Sequence, residues 1–278
     1  MPTREMMQSQ VDRPTATEFI VTKEYKRFAE FCDACRRERY VGLCYGPAGV
    51  GKTLSARHYA RWDLLEHRLP RDRPYLPLPP EVADCRTLLY TPEVLNTPRQ
   101  IKQEIPEMQL MLNRFVEEVT HQPGDPVRFG LPPNRLELLI VDEADRLKLS
   151  TLEQLRDMYD RSQLGLVLIG MPGLEKRMSR YPQLYSRVGF LHAFRLLSPA
   201  EMQCVLQQHW QELGLAFKPE DFTDAEAMSA IIRITGGNFR LLNRLLKQIS
   251  RILQVNGLTF MTAEVVEAAR ECLVIGTR

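Results

Sequence analysis

The chain has 278 residues, of which 44% are hydrophobic and 26% charged, the balance of a soluble globular protein. No apolar run is long enough to cross a bilayer, and Met1 to Thr17 lack the apolar core of a signal peptide, so a cytoplasmic protein with no membrane partner is expected. The formal net charge of +2 neither demands nor excludes nucleic acid; a DNA contact would have to gather basic residues on one surface or repeat them by oligomerisation.

Residues 1–18 read as a mobile arm. Phe19, Ile20 and Val21 follow, as candidates either for contact with a nucleotide base or for ordinary core packing. From 22 to 39 the spacing of Tyr25, Phe28, Ala29, Phe31 and Cys32 predicts a helix with one buried face. Cys32 and Cys35 lie in that helix with no second Cys/His pair at zinc spacing. Together with Cys44, Cys85, Cys204 and Cys272 they read as reduced thiols.

An apolar strand, Tyr40 to Tyr45, then runs into Gly46-Pro47-Ala48-Gly49-Val50-Gly51-Lys52-Thr53, which matches G-x-x-x-x-G-K-[ST]. Helix-compatible residues from Leu54 follow. Strand, Gly-rich loop and helix are what a phosphate cradle needs. Backbone N–H groups of the loop and the helix N-terminus face the phosphate oxygens. Lys52 is expected to reach the β- and γ-phosphates of ATP, and the Thr53 hydroxyl to hold Mg²⁺.

The helix is expected over 52–66. Residues 69–80, with five prolines and two arginines, read as a loop. A strand at 87–91, a helix at 97–120 and a polar loop at 121–134 follow. Leu136 to Val141 is a buried-strand pattern ending in Asp142-Glu143. Then come a helix at 150–162, a strand at 164–170 and a fifth strand at 189–196. Alternating strands and helices predict an α/β fold with a five-stranded parallel sheet. From Ser198 only helices are expected, at 198–213, 223–235, 238–255 and 262–273. The division is therefore an arm (1–18), a P-loop ATPase core (19–197) and a C-terminal helical lid (198–278).

Asp142, at a strand end, is placed to hold Mg²⁺. Glu143 is placed to orient or deprotonate a water attacking the γ-phosphate. Arg187, just before the fifth strand, and Arg240, after Gly236-Gly237-Asn238-Phe239, look like the arginine finger and the lid sensor arginine of AAA+ ATPases; Arg177 and Arg180 rival Arg187.

The run Asp142-Glu143-Ala144-Asp145-Arg146-Leu147-Lys148, the later Leu166-Val167-Leu168-Ile169-Gly170 and the lead-in Phe19 to Gly46 resemble the TnsC/TniB group of transposition ATPases, related more distantly to MuB and IstB. The resemblance covers about residues 19–255. It implies an ATP- and Mg²⁺-dependent AAA+ ATPase that assembles with itself, as a ring or helical oligomer, on double-stranded DNA of any sequence. It also implies a transposase and a target-selection protein as partners, with slow, regulatory hydrolysis. The nucleotide would contact Gly46 through Leu54 and Arg240. In this group the segment after the second strand faces DNA, which here puts Arg99 and Lys102 forward, one helical turn apart. One departure is Met171-Pro172 after Gly170, where many AAA+ proteins carry a polar sensor. The alternatives are an initiator or helicase-loader ATPase, to which a DNA-reading domain after the lid would point, and a nucleotide-switched scaffold that binds no DNA. A small-molecule kinase has no use for an arginine acting across subunits.

Overall fold

The first helix shows how local chemistry fixes an element. In the computed structural model, which describes residues 19–68, 77–122, 130–212 and 221–273, α1 spans Lys23–Glu38. The Thr22 hydroxyl caps it by accepting a hydrogen bond from Tyr25 N at 3.0 Å. Phe28, Phe31, Cys32 and Cys35 form its buried face. It ends where Arg39 turns into the left-handed region.

α1 lies across a sheet of five parallel strands. These are β1 (Val41–Tyr45), β2 (Thr87–Tyr90), β3 (Leu138–Val141), β4 (Gly165–Gly170) and β5 (Val188–Ala193), in the order β2-β3-β4-β1-β5. Register runs Leu138 with Gly165 and Val41 with Leu166, so the phosphate loop after β1 and the Asp142-Glu143 turn after β3 emerge at the same end of the sheet. Open α/β sheets gather ligands at that end. Every residue of β2, β3 and β4 is buried, as strands covered on both faces must be. β5, at the edge, alternates half-buried and exposed positions.

α2 (Lys52–Tyr59) is shorter than expected. Arg61 adopts a positive φ, and two 3-10 turns, Trp62–Leu64 and Glu66–Arg68, replace its last turns. The break turns Trp62 and Leu65 into the core. Arg57 braces the bend through 2.5 Å ion pairs to Asp63 and Glu66. α3 (Pro98–Thr120) starts with a capping box between Thr97 and Gln100, and α4 (Leu149–Arg161) packs beside it. Two short helices not foreseen, α5 (Leu174–Met178) and α6 (Pro182–Tyr185), bury Leu174, Met178 and Leu184 between β4 and β5 in the chain. β5 stops at Ala193 rather than 196: Phe194 N still donates to Tyr45 O at 2.8 Å and its ring packs in the core of the sheet, and Leu197 already belongs to the second apolar cluster.

That cluster belongs to α7 (Pro199–Glu212), α8 (Phe222–Thr235), α9 (Phe239–Asn256) and α10 (Ala263–Glu271). Met202, Trp210, Ile231, Leu245 and Met261 are at its centre. Ser198 and Glu201 form the capping box of α7, and Thr262 caps α10. The segment leaving β5 is tied into this cluster where Leu197 N donates to Gly237 O at 3.0 Å. All six cysteines are free. Burial pushes the thiol of Cys35 up to about 12, so it stays protonated and inert. The arm at 1–18, most of the loop at 69–80 and residues 123–129 of the loop at 121–134 lie outside the described residues. Among the described residues no helix is long and apolar enough to cross a membrane.

Candidate nucleotide-binding site

The loop from Gly46 to Gly51 turns through two glycines at positive φ, Gly49 at 80° and Gly51 at 106°. An L side chain is strained there, so glycine is what lets the backbone curl over an anion. Gly51 caps α2, and Lys52 is its first residue. The Lys52 ammonium donates to Gly46 O at 2.6 Å and Pro47 O at 2.8 Å, spanning the mouth of the loop. Burial lowers its pKa, Arg240 acts in the same direction, and Cys44, Asp142 and Asp145 oppose them. A cation half-stripped of water, held by two neutral carbonyls, is poised to exchange them for a phosphate.

The next residue reaches the neighbouring strand. Thr53 Oγ1 donates to Asp142 Oδ2 at 2.6 Å, and Asp142 is only 3% exposed. The other oxygen of that carboxylate accepts from Glu143 N at 2.8 Å. One hydroxyl and one buried carboxylate at this spacing fit Mg²⁺, which prefers a few hard oxygen ligands completed by water and phosphate. Glu143 adopts φ 51°, an uncommon conformation for a side chain of its kind and one that recurs at functional turns. Its carboxylate, about half exposed, pairs with Arg146.

A cavity of about 830 Å³ opens between the loop, the 142–146 turn, the end of β4 and α9. Ala48, Gly49, Gly51, Lys52, Thr53 and Leu54 line it, as do Asp142, Glu143 and Arg240. α9 is docked directly on the loop. Arg240 N donates to Gly49 O at 2.9 Å, and Asn238 Nδ2 donates to Ala48 O at 2.9 Å. Arg244 and Lys247 face the same cavity. The sequence reading missed both, although the spacing 240, 244, 247 is that of one helix face. Asp145 was also missed as a site residue. Its Oδ2 accepts from Met171 N at 2.6 Å, and a side chain at Gly170 would collide with it. A polar group therefore stands at the end of β4 after all, but it comes from the turn after β3.

An adjoining cavity of about 310 Å³ is lined by Phe19, Ile20, Tyr25, His58, Leu197 and Phe239. Phe19 stacks on His58 with centroids 3.8 Å apart, and burial lowers the His58 pKa. Of the three lead-in candidates, Phe19 and Ile20 face this space; Val21 is 52% exposed and does not.

Arg187 does not line either cavity of its own chain. It forks onto Asp160 of α4, with Nε at 2.5 Å and Nη2 at 2.7 Å from the two carboxylate oxygens. Arg177 is tied to the backbone carbonyls of Asp145 and Leu147, which gives it a local structural role. Arg180 is exposed. Arg99 and Lys102 are exposed on the first turns of α3, away from the nucleotide cavities.

A family model described as an AAA domain matches residues 35–178. A protein of Staphylococcus aureus named a potential ATP-binding protein is 46% identical over 272 residues, covering 94% of this chain and 98% of that protein. The Mu-like prophage FluMu DNA transposition protein B of Haemophilus influenzae is 37% identical over 116 residues, 38% of this chain and 37% of that protein. Among solved structures, the Thermotoga maritima RuvB Holliday junction branch migration motor superposes with a TM-score of 0.57 at 17% identity, covering 91% of this chain and 70% of that one. Drosophila ORC bound to DNA gives 0.57 at 16%, covering 98% and 71%. At such identities these structures speak for the fold alone. The parallel sheet, the loop with Lys52 and Thr53, the strand-end Asp142 and the family match together make this chain a member of the AAA domain family, with the AAA+ P-loop fold.

Proposed function

We propose that this protein is an ATP-hydrolysing, DNA-binding regulator of transposition of the TnsC/TniB kind. The observation that carries the ATPase half is the Thr53–Asp142 hydrogen bond at 2.6 Å, which puts two Mg²⁺-type oxygens beside Lys52. Lys52 exchanges its two carbonyl partners for the β- and γ-phosphates. Thr53 and Asp142 hold Mg²⁺, which when bound offsets charge on the phosphate oxygens. Glu143 takes a proton from the attacking water. Arg240, fixed to the loop through its own N–H, reads the γ-phosphate from the lid. Arg187 serves a neighbouring subunit, where a guanidinium stabilises charge developing on the transferred group.

The DNA half rests on the likeness to the transposition protein B and on the exposed cations of α3. Arg99 and Lys102 supply too little charge in one subunit for firm binding. A helical oligomer repeats them along the duplex and accumulates phosphate contacts without reading bases. A transposase and a target-selection protein would then dock on the nucleoprotein assembly.

The test is a gel shift on plain duplexes of unrelated sequence, with ATP, ADP or no nucleotide, followed by electron microscopy with a slowly hydrolysed ATP analogue. ATP-dependent binding to every duplex and helical particles are expected. Hydrolysis without DNA binding in any nucleotide state would replace this reading with a nucleotide-switched scaffold.

A further inference from the structure

A second group of arginines gathers at the other end of the sheet. A cavity of about 150 Å³ lies between α1, the turn after α2 and the start of β2. It shares no lining residue with the two cavities described above. Thr87 is the first residue of β2, whereas the phosphate loop follows the last residue of β1, and all strands are parallel. The two sites are therefore at opposite ends of the strands.

Three guanidiniums from three parts of the chain line the cavity: Arg36 of α1, Arg61 after α2 and Arg86 before β2. Two carboxylates line it as well, and both are engaged. Asp33 meets Arg36 Nη2 at 3.1 Å and the Tyr59 hydroxyl at 2.8 Å; Asp84 meets Arg61 Nη1 at 3.2 Å. Glu137, 3.7 Å from Arg36 Nη1, is about half exposed and lies outside the lining. Arg86 has neutral partners, since its Nη1 donates to Ala83 O at 2.7 Å and Cys85 O at 2.9 Å. Among the described residues, Nε and Nη2 of Arg61 and of Arg86 have no hydrogen-bond partner. The lining thus keeps an excess of positive charge and N–H donors to spare.

Thr87 points to a ligand. It is 4% exposed, it lines the cavity, and its hydroxyl has no hydrogen-bond partner among the described residues. A buried hydroxyl left without a partner costs stability, so something else must satisfy it. The cavity is well below the roughly 300 Å³ at which sites for drug-sized ligands begin, which excludes a nucleotide and leaves room for one small group. An oxyanion accepts from the hydroxyl and from guanidinium N–H groups at once, and a cation would be repelled.

The geometry points to a binding site for a single tetrahedral oxyanion, a phosphate or phosphoryl group, held by Arg61, Arg86 and the Thr87 hydroxyl, with Arg36 adding charge. The left-handed turn at Arg61 that sends Trp62 into the core leaves the Arg61 side chain on this cavity. The ion would join α1, the end of α2 and β2, and stabilise the folded chain as its concentration rises above its Kd. This site depends on neither the ATPase nor the DNA reading.

The experiment is thermal melting of the full chain carrying Lys52→Ala, which removes the main anion partner in the phosphate loop, in sodium phosphate against sodium chloride at matched ionic strength. Calorimetric titration with inorganic phosphate gives the Kd. The melting temperature should rise by about 2–4 °C at about ten times that Kd, with one phosphate per chain. Adding Thr87→Val, which keeps the shape and removes the partnerless hydroxyl, should leave the melting temperature without phosphate equal or higher and weaken phosphate about tenfold, the worth of a hydrogen bond to a charged group. Arg86→Gln should weaken it at least as much; if that variant does not fold, Thr87→Val decides alone. No rise over chloride, or a phosphate affinity that Thr87→Val leaves unaltered, overturns the site and leaves a water-filled network of ion pairs. A short duplex distinguishes the sources. Thr87→Val that lowers duplex affinity together with phosphate affinity assigns the site to a nucleic-acid phosphate; loss of phosphate affinity alone assigns it to free phosphate.

Discussion

At the scale of single residues, the site divides by how far each partner lies along the chain. Lys52 binds Gly46 O and Pro47 O, both within six residues of it, so its place was legible from a local pattern. Asp145 and Arg146 were visible only as part of a family-like run, because what gives them meaning is Met171 N and Pro92 O. No spacing rule announces a bond across 26 or 54 positions. Two outcomes are expected here. Lys52→Ala should weaken ATP binding by about ten- to a hundredfold, the worth of a charge-assisted hydrogen bond, measured with a fluorescent analogue. Glu143→Gln should keep that affinity and lose hydrolysis; a parental rate in this variant would remove Glu143 from the role of base.

At the scale of elements, hydrophobic periodicity located every strand and the main helices, because each buries a face against the sheet or the lid cluster. It failed where burial is irregular. α2 stops at Tyr59 since Trp62 and Leu65 must turn inward, and periodicity cannot tell such a turn from one more helical repeat. α9 carried two messages, an apolar face at Leu242, Leu245 and Ile249 and a basic one at Arg240, Arg244 and Lys247, of which only the first has a periodic hydrophobic signal. α1 and β5 meet at a buried pair that sequence could not disclose. His192 Nε2 lies 3.3 Å from Glu24 Oε1, among Phe28, Phe31 and Phe194, with Arg27 and Arg195 close by. Burial lowers the His192 pKa, outweighing the attraction of Glu24. A lowered folded-state pKa means that the unfolded chain binds the proton more readily. The contribution is then present above about pH 6.5 and is lost as pH falls through the folded value. The melting temperature should drop between about pH 7 and pH 5, and His192→Gln should flatten that drop; an equal slope in both proteins would place the acid sensitivity elsewhere.

At the scale of the whole molecule, the proposed self-assembly turns on whether Arg187 serves its own chain or a neighbouring copy. Arg187 is outside the cavities of its own chain and forks onto Asp160, whose carboxyl it holds below the usual range, with Arg156 helping. Two roles compete. As a brace, Arg187 ties the start of β5 to α4. As a finger, it lets go of Asp160 and enters a neighbour's cavity, beside that copy's Lys52. The pair, with side chains 31% and 29% exposed, is open enough to solvent to exchange one carboxylate for another anion. Two variants separate the roles. Asp160→Asn breaks the brace and leaves the guanidinium; Arg187→Ala removes both. A brace predicts that the two lose melting temperature and activity alike. A finger predicts that Asp160→Asn still hydrolyses ATP, while Arg187→Ala loses about a thousandfold in kcat, the scale of an arginine that stabilises phosphoryl transfer. Mixing Arg187→Ala with Lys52→Ala should then restore part of the rate, since some boundaries pair an intact cavity with an intact arginine. Recovery should peak at intermediate ratios and scale with total protein as assembly does. Co-assembled mixtures that recover nothing at any ratio would confine Arg187 to its own chain.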